Sequence, residues 1–176
     1  MVLAGCGSST VGSPATDTTT AASTTSAAAI TSANPSAAVW NPCDLPDSAI
    51  SATGLDPATE VKDVAGVEFP GWKVCSWRAT AGWYNLAILS GTPTLREVQE
   101  RPDKEAFTPR TIGSHRAVEY LDVGDSKRFK CSIAVEVPQG SVIFRVQTRY
   151  SEGKQGEPCV EARRHTDDLT KHLPGN

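Results

Sequence analysis

The sequence predicts an α+β fold: an antiparallel sheet of about five strands, helices packed on one of its faces, and two disulfides. Three observations lead there. Segments 129–137 and 141–150 alternate around a turn at Pro138-Gln139-Gly140. Cys131, Ile133, Val135 and Val137 share one face, and Val142, Phe144 and Val146 share one face of the partner. Lys130, Ser132 and Glu136, with Arg145, Gln147 and Arg149, fall opposite, as expected of an antiparallel sheet covered on one side only. The final segment, 158–172, carries Cys159, Ala162, Thr166, Leu169 and Leu173 in one stripe at helical spacing, an apolar face suited to lie on that sheet. Cys43, Cys75, Cys131 and Cys159 are even in number and widely spaced, which in an exported domain reads as two disulfides; zinc would want Cys-x-x-Cys or Cys/His pairs.

The other elements follow in chain order. A first helix fits 46–53, with Pro46 at a position that needs no backbone N–H and Gly54 as its stop. Segments 74–79 and 83–90 read as strands joined at Ala81-Gly82. A short helix fits 93–100, where Thr94 and Glu97 have capping-box spacing and Pro102 lies beyond the end. A strand fits 116–122. Strand parity turns Cys75 and Cys131 toward the helices, while Cys43 precedes the first helix and Cys159 opens the last. Three connectivities are open. Chain order favours Cys43–Cys75 with Cys131–Cys159, and a strand-to-strand Cys75–Cys131 bridge is the alternative.

Composition divides the chain into a remnant of a signal peptide (1–6), a tether (7–39) and one globular α+β domain (40–176). In residues 7–38, 24 of 32 positions are Ser, Thr or Ala and Asp17 is the only charge. Such a stretch has too little bulky apolar surface to offset its conformational entropy, so disorder is expected. All four Trp, four Phe and three Tyr lie from Trp40 onward. Leu3-Ala4-Gly5-Cys6 has the form of a bacterial lipobox, whose cysteine thiol receives a diacylglycerol. Cys6 is therefore the expected lipid attachment site, and two or more acyl chains would anchor the protein stably. A cleavable leader needs a charged and then an apolar region, and only five residues precede Cys6, so an upstream start or a trimmed chain is expected. The tether has a reach of about 30 Å.

A net charge of −3 gives no basic footprint for nucleic acid. No nucleophile elbow, His-Glu-x-x-His or phosphate loop is present, and each folded-domain cysteine has a structural role to fill, so neither catalysis nor a cofactor or metal is expected. His165 and Asp168 are three apart on the last helix and could touch, but a solvated helix face is the plainer reading; His172 lies two turns beyond His165, and His115 reads as a turn residue. Arg163, Arg164 and Lys171 give that helix a basic character that could attract anionic lipid or wall polymer. Trp83 falls opposite Tyr84, Leu86 and Ile88, on the expected wet face; with Arg145 and Arg149 it forms a candidate binding surface.

Taken together, Asn41-Pro42-Cys43-Asp44-Leu45, the helix ending at Gly54-Leu55, Cys75-Ser76-Trp77, Ile112-Gly113, Cys131 within a strand, Pro158-Cys159 and Leu173-Pro174 resemble the actinobacterial lipoproteins of the domain of unknown function 3558 family, across about residues 40–176. The resemblance implies a lipobox, a tether and this architecture, and it carries no catalytic residues. The expected function is a lipid-anchored binding or interaction module on the extracytoplasmic face of the cell membrane. Its partner would be an envelope protein, a polymer or a small ligand. A carrier of a small apolar or lipid ligand is the first alternative, and an envelope hydrolase the second.

Overall fold

The computed structural model describes residues 39–175, so Cys6 and residues 7–38 of the expected tether lie outside the described residues, while Val39, expected in the tether, is buried. A 3-10 turn over Pro42–Asp44 and a helix over Asp47–Ala52 (α1) lead into the strands Leu55–Lys62 (β1), Trp72–Ala79 (β2) and Tyr84–Gly91 (β3). The helix Leu95–Gln99 (α2) crosses to Lys104–Ile112 (β4), His115–Asp122 (β5), Lys130–Val137 (β6) and Gly140–Thr148 (β7). The helix Pro158–Leu169 (α3) and a 3-10 turn over Thr170–His172 close the domain. The strands form one sheet in the order β1-β2-β3-β7-β6-β5-β4, with every neighbouring pair antiparallel. Two meanders, β1-β2-β3 and β4-β5-β6-β7, thus meet at the central β3–β7 pair.

The sheet has seven strands rather than about five, and the two additional strands are its edges. Both defeat alternation for the same reason. β1 contains Pro57 and shifts register between Asp56 and Val61, and β4 contains Pro109 and shifts between Glu105 and Thr108. Edge strands tolerate proline and bulges because one side needs no partner, and they carry polar residues that discourage further pairing.

A second correction concerns the faces. α1 and α3 cover one face, over Trp77, Leu86, Ile88, Ile133, Val135 and Phe144, all of them buried. α2 covers part of the other, where its Leu95 and Val98 pack with Val118, Tyr120, Ala134 and Ile143. Helices therefore lie on both faces. Thr94 and Glu97 form the expected capping box, which lets a helix of only five residues start cleanly on that surface.

Cys43 is bonded to Cys75 and Cys131 to Cys159, with Cα separations of 5.3 and 5.0 Å. These are the pairs that chain order selects: one ties the turn before α1 to β2, the other ties β6 to the first turn of α3.

Candidate functional site

Strand register sets which side chains meet on the α2 face. Directly across five strands runs the apolar row Val74, Leu89, Ile143, Ala134 and Val118. The adjacent row on the same face reads Ser76, Ala87, Arg145, Ser132 and Tyr120. Beside α2 lies a cavity of about 520 Å³, within the usual size range of small-molecule pockets, to which these two rows contribute Val74, Leu89, Ile143, Arg145 and Tyr120.

Its floor is Val74, Leu89 and Ile143, and Val98 of α2 and Tyr120 form part of its walls. Trp72 makes a further wall. A Cβ on Gly91 would stand 2.5 Å from the Trp72 ring, so the absent side chain lets the indole lie against the sheet. Val64 and Phe69, from the segment between β1 and β2, reach the cavity from the remaining side while staying 48% and 47% exposed.

The rim is charged. Asp103 pairs with Arg101 at 2.9 Å and with Lys104 at 2.8 Å, and these partners hold its carboxyl well below the usual range. Asp122 is approached by Lys104 at 2.7 Å, Lys130 at 3.5 Å and Arg145 at 3.8 Å. Burial acts to raise Asp122, but these cations outweigh it and hold the carboxyl ionised. Four cations therefore share two carboxylates. Arg145 is the loosest of them: its Nε donates to Ser132 Oγ at 3.2 Å, and its carboxylate partner is the most distant of the set.

On the opposite face a polar network is built into the packing of α3. His165 is fully buried between Thr53 Oγ1, 2.8 Å from its Nδ1, and the Tyr84 hydroxyl, 2.8 Å from its Nε2. Thr53 donates onward to Asp168 at 2.6 Å, so its oxygen is left to accept the Nδ1 proton of a neutral imidazole. Arg164 donates to Tyr84, to Glu161 and to the Thr53 carbonyl. Burial, aided by the Arg164 charge, pushes His165 down to about 4. Burial and Glu161 raise the Tyr84 hydroxyl. Nearby, Arg163 grips Glu119 with two bonds of 2.7 and 3.0 Å, and Arg110 adds a contact at 3.1 Å. Burial acts to raise Glu119, and these two guanidinium groups more than reverse it.

The family described as a protein of unknown function (DUF3558) matches residues 1–172. The chain belongs to that family. No curated protein and no solved structure matches it.

The three residues expected to form a binding surface are not together in this DUF3558 domain. Trp83 is 5% exposed and precedes β3 rather than sitting on its wet face. It packs edge-on to Tyr84 at 4.6 Å and against Gly156, where a Cβ would stand 2.8 Å from the indole. Arg149 donates to the Gly82 carbonyl at 2.6 Å and pairs with Glu152, bracing the same turn. Arg145 alone lines the cavity.

Other readings change too. His165 is a core residue, not a solvated one, and it meets Asp168 through Thr53. His115 sits beside the β4–β5 turn, and its Nδ1 is 3.0 Å from the Glu136 carbonyl. Arg163 and Arg164 are engaged in internal pairs, which weakens the idea of a basic helix offered to anionic polymers. Two thiol-and-carboxylate groupings, Cys43-Glu60-Cys75 and Glu119-Cys131-Cys159, have metal-like spacing, but both thiol pairs are consumed as disulfides. The cavity residues that sequence reasoning missed are Val74, Leu89, Tyr120 and Ile143. Their signal was present: Ala134 and Ile143 interrupt a face otherwise read as polar.

Proposed function

We propose that this chain is an actinobacterial envelope lipoprotein, held at the membrane through acylated Cys6, whose folded domain is a binding module rather than an enzyme. Its site is the cavity beside α2. The observation that carries this reading is the cavity itself, floored by Val74, Leu89 and Ile143 and walled by Trp72, on a face that a five-residue helix covers only in part. Support for binding over catalysis comes from the titratable groups. His165 and Tyr84, both displaced by burial, bond within the core rather than into the cavity, and the displaced group that does line the cavity, Asp103, is held ionised by its ion pairs with Arg101 and Lys104.

Native mass spectrometry of protein purified from its own envelope tests the binding module. A retained small molecule, lost when Leu89→Trp fills the floor, is the expected result. Protein that is ligand-free in both forms and captures nothing from envelope extract would overturn it. The anchor is tested separately by metabolic labelling with an alkyne fatty acid. Label should appear on the native protein and vanish in Cys6→Ala, and label that survives the substitution would defeat the anchoring proposal.

A further inference from the structure

The cavity has two chemically distinct ends, and they point to the class of ligand it takes. Trp72, Val74 and Leu89, with Val64 and Phe69 at the mouth, make one end apolar and free of formal charge. The other end carries Arg101, Asp103, Lys104 and Arg145 on its lining, and behind it Lys104 and Arg145, with Lys130, share the carboxylate of Asp122. Glu97, the remaining acid on the lining, is turned back on Thr94, where it accepts from both the backbone N–H and the hydroxyl.

We infer that the cavity binds a single-chain amphiphile with an anionic head, the chain lying across Trp72, Val74 and Leu89 and the head on the Arg145 guanidinium. This rests on the cavity being the binding site and adds the ligand's class and orientation. Arg145 suits the role for three reasons. Its side chain is only 26% exposed, so a charge-assisted bond there is poorly screened. Its present carboxylate contact, at 3.8 Å, is too long for a good hydrogen bond, so a head group displaces little. It stands two residues from the floor residue Ile143 on the same face of β7, which sets the head beside the apolar floor.

The apolar end extends to the surface. Val61, Val64, Val67 and Phe69 are all about half exposed, and a backbone bridge between Val64 and Val67 holds the middle of that segment together. An alkyl chain leaving the cavity on this side would meet apolar surface rather than water.

The test uses the full chain with its disulfides intact, titrated calorimetrically with decanoate, decyl phosphate, decanol and decylamine. At least one of the two anions should bind about tenfold or more tightly than decanol and decylamine, the usual magnitude for a hydrogen bond to a charged group. Decanoate and decyl phosphate together show whether the head is a carboxylate or a phosphate. Arg145→Gln should abolish the anion preference while leaving decanol affinity within about twofold, since only the polar end changes. Phe69→Ser, at an exposed position that does not threaten folding, should weaken all chain-bearing probes. Equal binding of decylamine and decanoate, or an anion preference that survives Arg145→Gln, would overturn the proposed orientation. If none of the four binds, yet the envelope-purified protein still carries a small molecule that Leu89→Trp expels, the amphiphile is wrong and the binding module stands. If neither is observed, both fall.

Discussion

Adjacent residues on β7 lead very different lives. Phe144 points under α3 and is fully buried, between Ile88 and Ile133 on the neighbouring strands. Ile143 points to the α2 side, where it floors an open cavity. The α3 face is locked by a twelve-residue helix, both disulfides and the His165 network. The α2 face has a five-residue helix and small residues in its second row. One face can therefore supply the stability that lets the other stay incompletely packed, a common division between scaffold and site.

The contrast breaks most directly by truncation on either side of the sheet. Phe144→Ala should cost about 3–5 kcal/mol, because it leaves a void that a rigid core cannot close. Leu89→Ala, at the partly exposed cavity floor, should cost under about 2 kcal/mol and chiefly weaken ligand binding. Equal losses in denaturant unfolding would erase the distinction.

Removing the α3 clamp with Cys131→Ser and Cys159→Ser together should lower stability by about 3–4 kcal/mol on the chain-entropy account. Thermal unfolding of the oxidised protein and the variant measures it. A negligible shift would mean that burial alone holds α3.

Acid sharpens the comparison through His165. Its folded value of about 4 lies below the ordinary 6.5, so the unfolded chain takes up a proton that the folded core refuses. This contribution is complete above about pH 6.5 and is lost as the pH falls toward 4. Its full size is up to about 3 kcal/mol. His165→Gln should flatten the slope of stability against pH within that window; an unchanged slope would assign it to other groups.

The smallest effects belong outside the packed core. Arg145→Gln should change stability by under about 1 kcal/mol, since its one ion pair is long and partly solvated. Deleting residues 7–38 should leave the thermal midpoint unchanged, because the segment carries only Val11 and Ile30 as bulky apolar residues. A fall of several degrees would show that the tether docks on the domain.

Local pattern alone determined a good deal about this protein. Alternation in β6 and β7, the stripe on α3, the Thr94-Glu97 capping box and the even cysteines each depend on residues close in sequence, and so were legible there. The edge strands were not, because proline and bulges remove the period-two signal at strands whose outer side has no partner. The site was not legible either. Trp83 and Arg149 are drawn inward by a turn and by Gly156, which sequence places far from Trp83. The cavity needs Val74, Leu89, Ile143 and Arg145 brought side by side from three strands, with Gly91 bare beneath Trp72. A hollow is the absence of side chains at positions that only strand register makes neighbours, so only the tertiary structure could decide it.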